Sequence, residues 1–236
     1  MKTNPPSGPQ HGRLYSLVAF FSRLQLGYLL RSSRNPRPIV MLFVFTAGAT
    51  ALAIISAAAY VTKLPLLFPP LGPSAFILFY TPMSESASPR SMLLAHVLAV
   101  AAGLLALSII CWASPNAALA DRMAMNWHRI GAIALAMGLA GVAMVTWHCV
   151  HPPAAATALI AAMGYLETGT QVAGLIGAVV LLILEAIFFN RIIGGLPYPF
   201  WRSDPKVAAT YGTLAGIPES GMTFWQKLVN KTFQKR

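Results

Sequence analysis

His151-Pro152-Pro153-Ala154-Ala155-Ala156-Thr157-Ala158 breaks an otherwise apolar run in the middle of the chain. Proline has no N–H to donate, and its ring excludes the preceding turn of a helix, so no continuous helix passes through the pair. Good helix formers follow from Ala154 to Met163, and Gly164 closes them. The stretch predicts a short helix over Pro153–Gly164, begun at Pro-Pro and set at membrane depth. Irregular backbone at that depth is tolerated only where protein buries it or where it lines a cavity. An earlier stretch, Phe68-Pro69-Pro70-Leu71-Gly72-Pro73-Ser74-Ala75, has the same shape and predicts a second short helix over Leu71–Pro82.

The surrounding composition sets the depth. Of 236 residues, 56% are hydrophobic and 10% charged, whereas roughly a quarter of a soluble domain is charged. Ile39–Thr62, Ser91–Ala113 and Ile130–Val150 contain no Asp, Glu, Lys or Arg. Each reaches the roughly 20 residues that cross a bilayer. A fourth run begins at Gly169 and continues past Glu185 to Asn190. The chain reads as an all-α polytopic membrane protein. Its net charge of +11 is gathered around the spans, from Arg13 to Arg37 before the first and from Arg191 to Arg236 after the last. That is the positive-inside pattern, not a nucleic-acid footprint, and it predicts cytoplasmic termini in a bacterial inner membrane. Cys111 and Cys149 lie in or near apolar runs and read as buried thiols without a disulfide. The first dozen residues show no signal-peptide pattern.

The chain also matches itself. Gly48–Ala53 agrees with Gly131–Ala136 in five of six positions, at an offset of 83 residues. Pro69-Pro70 falls on Pro152-Pro153, Ser74 on Thr157 and Ala75 on Ala158 at the same offset, without a gap. We read an internal duplication: repeat 1 over residues 38–115 and repeat 2 over 121–198, each two long transmembrane helices plus one Pro-Pro-initiated half-helix. Two topologies fit: four full spans with two half-helices, which is preferred, or six passages with Arg129 on an outer loop. Residues 1–37 form a cytoplasmic N-terminus with an interfacial helix over Leu14–Leu30. Residues 199–236 form a cytoplasmic tail with a basic amphipathic helix around Phe224–Phe233. Gly194–Trp201 reads as a turn with aromatic interface anchors.

Paired, interrupted segments in two halves point to a transporter site. Free N–H groups at a helix start attract anions, and two such starts lie near Gly72, Pro73 and Ser74 and near Pro152, Pro153 and Ala154. Ser74 and Thr157 add hydroxyls, and His151 stands beside the second start. Arg90 and His96 are further candidates because ionisable groups in membrane segments are costly. Each has a plainer reading: a packed kink, a satisfied buried histidine, a headgroup anchor. Glu185 and Arg191 read as a structural pair. Gly131, Gly138, Gly141, Gly174 and Gly177 read as packing faces. His148, Cys149 and His151 resemble a metal cluster only weakly, so no metal and no cofactor is expected. No nucleophile elbow, phosphate loop or carboxylate pair points to an enzyme.

The residues around His151-Pro152-Pro153 resemble the HPP family of integral membrane proteins. The likeness extends to Leu64–Leu67, Leu71–Ala75, Pro82, Pro89-Arg90 and His96, and covers roughly residues 38–195. It implies four spans and, as cargo, nitrite or a similar monovalent anion. Pro73 departs from the small residue that relatives often carry there, which removes one N–H from the expected cradle. The main expectation is therefore a transporter or channel for a small anion, nitrite first, held between two half-helix N-termini in a homo-oligomer within the bilayer. The alternatives are a non-transporting membrane scaffold and a metal-dependent membrane enzyme.

Overall fold

The computed structural model describes residues 25–33, 35–115, 125–211 and 214. Among these, eight helices and no strands appear. They are α1 (Leu26–Ser32), α2 (Arg37–Thr62), α3 (Leu71–Tyr80), α4 (Pro89–Ala113), α5 (Trp127–Thr146), α6 (Ala154–Ala162), α7 (Gly169–Ile187) and α8 (Pro205–Ala209). A 3₁₀ turn at Glu85–Ala87 precedes α4, and a π-helical turn at Phe188–Ile193 prolongs α7. Four helices are long and apolar enough to cross a membrane: α2 (26 residues), α4 (25), α5 (20) and α7 with its π turn (25). The chain is a polytopic α-helical membrane protein.

Local chemistry fixes the ends. Ser88 accepts from Ser91 N–H and precedes Pro89 at the start of α4. Thr168 and Gln171 close a reciprocal cap on α7. The two short helices are shorter than the 12 residues expected of each. Thr81, forced out of helical ψ by Pro82, ends α3 at Tyr80. Gly164 at φ +84° ends α6, with Gly164 N–H on Ala161 O and Tyr165 N–H on Ile160 O.

The packing does not follow the halves of the sequence. The second long helix of each half leaves its own short helix: α4 packs on α5 and α6, α7 packs on α2 and α3, and the two pack on each other. One core joins Phe43, Ala47, Ala51 and Ile55 of α2 to Leu71, Leu78 and Phe79 of α3 and to Leu175, Val179 and Leu182 of α7. The other is almost all alanine: Ala95, Ala99 and Ala102 on α4, Ala136 and Ala140 on α5, Ala154, Ala158 and Ala162 on α6. Four-residue spacing lines these methyls along one face and lets backbones approach, which is how helices associate where lipid removes the hydrophobic drive. Large apolar side chains such as Met41, Phe45, Leu105, Val142 and Leu184 face outward.

Several expected contacts differ. Of the five glycines read as packing faces, only Gly174 lies tightly against a neighbour, the backbone of Pro65. Gly131 makes an ordinary contact with Ile110, and Gly138, Gly141 and Gly177 face open space. The close approach falls instead at Gly103, where a Cβ would sit 2.5 Å from Ala158 O and from Ala161 Cβ. Arg191 does not pair with Glu185. It donates to Tyr198 O at 3.0 Å and covers the Phe200 ring at 3.8 Å, and both Glu185 carboxyl oxygens are buried without a partner. Tyr198 is buried, its hydroxyl on Ala87 O at 2.6 Å, rather than at an interface. Arg129 is no loop residue: it stands in the first turn of α5 and is 1% exposed. Of the N-terminal helix expected over Leu14–Leu30, only the end is described. There α1 packs on α2, and Gly27 N–H donates to Gly194 O. The expected helix around Phe224–Phe233 lies outside the described residues.

Gly103→Ala should lower the stability of the purified protein by roughly 1–3 kcal/mol, because the added methyl has no room between α4 and α6. Gly138→Ala should leave it unchanged or raise it slightly. Thermal unfolding in detergent reads both; equal effects would refute this account of the α4–α6 contact.

Candidate functional site

The two Pro-Pro breaks create local backbone problems that the chain solves nearby. Residues 63–70 link α2 to α3, and 147–153 link α5 to α6. Lys63 and His148 take left-handed φ of 58° and 48° at the helix exits. At the start of α3, Leu71 N–H donates to Phe68 O (3.1 Å), Gly72 N–H to Pro69 O (3.3 Å) and Ser74 N–H to Pro70 O (3.2 Å). At the start of α6, the N–H groups of Ala154, Ala155 and Ala156 donate to the carbonyls of His151, Pro152 and Pro153 at 3.0–3.1 Å. The amides expected to face a ligand are thus engaged in tight turns in this conformation. The polar groups that distinguish the site are side chains.

Those side chains converge. Ser74, His96, His151 and Thr157 are each 0% exposed. Ser74 Oγ lies 2.9 Å from His151 Nε2, 3.3 Å from His96 Nε2 and 2.9 Å from Pro70 O. His96 Nδ1 meets Thr157 Oγ1 at 2.8 Å, and His151 Nδ1 meets Ser86 O at 2.7 Å. The two imidazole rings sit 5.4 Å apart, tilted by 54°. Four separate elements supply this chain of polar groups: α3, the 3₁₀ turn, α4, and α6 with its lead-in. His96 and Gly103 are seven residues apart on one face of α4, so the close approach at Gly103 also brings the His96 ring to Thr157.

The other expected site residues surround this cluster without joining it. Gly72, Pro73, Pro152 and Pro153, with Phe76 and Ile77, line an open apolar groove of about 550 Å³. Ala154 is buried at the head of α6. Arg90 turns to the exit of α5, with Nη1 on His148 O at 2.6 Å and Nη2 on Trp147 O at 2.9 Å. Its charge stabilises the negative end of that helix, and this holds the lead-in to His151. A second, polar pocket of about 330 Å³ is lined by Glu85, Ser88, Arg90, Ser91, His148, Arg202 and Ser203. His148 faces that pocket while His151 turns inward, so the two do not share a ligand position. Both Cys111 and Cys149 are free thiols; Cys149 is buried, but Cys111, expected to be buried too, lies exposed near the end of α4. Among the described residues no three His, Cys, Asp or Glu side chains converge.

Three contributors carried no sequence signal. Ser86 acts through its backbone carbonyl, which any residue would supply. Arg129 donates to Met163 O at 2.9 Å and Ala162 O at 3.4 Å, capping α6. Asn190 donates to Leu78 O at 3.1 Å near the end of α3. Their partners are 33 or more residues away, beyond the reach of local spacing.

The HPP transmembrane region matches residues 33–199, which include both Pro-Pro breaks and all four cluster residues. The chain belongs to the HPP family. No curated protein matches it, and no solved structure does.

Arg90→Lys keeps the charge but loses the fork that grips two carbonyls. It should lower stability by roughly 1–3 kcal/mol in thermal unfolding of the detergent-solubilised protein. Unchanged unfolding would show that the grip on α5 is not what Arg90 contributes.

Proposed function

We propose that this HPP-family membrane protein moves a small monovalent anion across the bilayer, nitrite foremost. One observation carries the reading: a buried, connected set of two hydroxyls and two imidazoles inside an apolar helical bundle. Buried polar groups are costly in a membrane and are a sign of function there. The set contains no carboxylate, so it offers little to a hard cation such as Ca²⁺ or Mg²⁺, and its hydroxyl and imidazole donors suit an anion. Ser74 and Thr157 donate hydroxyl hydrogens, the imidazoles donate N–H groups, and the starts of α3 and α6 lend positive helix dipole ends.

Further elements of the reading rest on charge and packing. Basic residues flanking the first and last spans favour cytoplasmic termini. The open groove at Gly72, Pro73, Pro152 and Pro153 favours a homo-oligomer, in which a second copy helps enclose the path. The short helices act as half-helices in this scheme, and the 83-residue register makes them copies of one another. The role is transport and not catalysis. A non-transporting scaffold is the second reading, favoured by the closure of the cluster: each of its four side chains already has a partner within it.

Nitrite uptake into proteoliposomes decides between them. Wild-type protein should exceed protein-free vesicles clearly. Thr157→Val and Ser74→Ala should each lower the rate roughly tenfold or more, the equivalent of one hydrogen bond to a charged ligand. Uptake equal to that of protein-free vesicles, with the variants altering only assembly, would establish the scaffold.

A further inference from the structure

The hydrogen-bond chain has a direction, and the direction can be read from the fixed ends. Ser86 O can only accept, so His151 Nδ1 carries its hydrogen. In a neutral ring His151 Nε2 is then an acceptor; the single Ser74 hydroxyl hydrogen has two acceptors at 2.9 Å, this nitrogen and Pro70 O, and it serves the nitrogen while the ring is neutral. Ser74 Oγ in turn accepts from His96 Nε2–H at 3.3 Å. His96 Nδ1 is then an acceptor, served by Thr157 O–H at 2.8 Å. With both imidazoles neutral every donor along this path finds an acceptor.

The same geometry accommodates one added proton at one ring. If His151 Nε2 gains hydrogen, it donates to Ser74 Oγ. The Ser74 hydroxyl then needs another acceptor, and Pro70 O, whose second lone pair remains beside the Ser74 N–H bond, stands 2.9 Å away. An imidazolium at His96 would instead drive its Nδ1–H at Thr157 Oγ1 and displace the hydroxyl hydrogen from its present bond. Two imidazolium rings 5.4 Å apart would also repel, so the pair takes one proton and not two.

We propose that His151 is a proton-binding site that loads together with the anion, so that the protein carries an anion and a proton as an electroneutral pair. This rests on the anion-transport reading above. The step forms one N–H bond at His151 Nε2 with a proton from the aqueous side. Its release on the opposite side restores the neutral ring, and no other bond changes. The physical need is plain: an anion in a low-dielectric bundle requires a compensating charge. The surrounding elements supply few candidates. α3 carries only Tyr80, at its far end, and α6 carries no titratable group. α4 brings His96 and Arg90, the latter engaged by the carbonyls of Trp147 and His148. The 3₁₀ turn brings Glu85, and the lead-in brings His148 and Cys149. Glu85, Arg90 and His148 all face the outer polar pocket, and Glu185 on α7 has the wrong sign.

The test uses full-length protein in proteoliposomes loaded with a pH-sensitive dye, at a pH above neutrality where little nitrous acid exists to cross lipid unaided. Adding nitrite should acidify the lumen faster than in protein-free vesicles, with one proton per nitrite. The rate should ignore a potassium–valinomycin potential. An imposed gradient of one pH unit should drive roughly tenfold nitrite accumulation. His151→Gln, which retains a donor for Ser86 O but cannot become a cation, should abolish the protein-dependent acidification; should that variant not fold, the wild-type proton count alone decides. Nitrite flux that follows the imposed potential without lumen acidification would overturn the proton site while leaving anion transport standing. Absence of any protein-dependent nitrite flux would overturn both.

Discussion

A helix broken inside an apolar bundle has backbone ends that the surrounding protein must satisfy, and much of this structure answers that constraint. The starts of α3 and α6 fold their first N–H groups back onto carbonyls freed by the paired prolines. The ends are met by side chains from distant parts of the chain. Arg129 of α5 caps α6, and Asn190 of the π turn reaches Leu78 of α3. Arg90 of α4 grips the exit of α5. Two of these three are arginines, whose several fixed donors can hold two carbonyls at once.

The caps explain why the polar cluster is well placed. Once the ends of α3, α5 and α6 are held, Ser74, His151 and Thr157 stand on rigid backbone. The alanine face of α4 and the bare backbone at Gly103 set α4 against α6, which carries His96 between Ser74 and Thr157. The exchange of α4 and α7 between the two halves matters here as well. Each short helix packs with the long helix of the other half, so the cluster joins both parts of the chain and neither can form it alone.

The plain features of the chain were legible because they depend on local chemistry or on composition. Charge-free runs of about 20 residues specify spans, and Pro-Pro followed by helix formers specifies a break and a restart. The starts of α3 at Leu71 and α6 at Ala154 keep the 83-residue register read from the prolines. Ser74, His96, His151 and Thr157 stood out as polar groups in apolar surroundings. Arg90 stood out equally, yet its guanidinium serves the backbone of α5, a distinction that residue type does not encode. Glu185 and Arg191 were six residues apart and of opposite charge, but the π turn rotates Arg191 toward Tyr198.

The sequence by itself determined the membrane class, the long spans, the two interruptions and the identities of the polar groups. Hydrophobicity, length and proline stereochemistry act locally, so they can be read in order along the chain. Tertiary structure alone decided which groups meet. The bonds from His96 to Ser74 and Thr157 and from His151 to Ser74 and Ser86 span 22 to 77 residues. They exist because small side chains let helices approach and because α4 and α7 cross between halves. Packing of that kind depends on all the helix surfaces at once, and no window of sequence contains it.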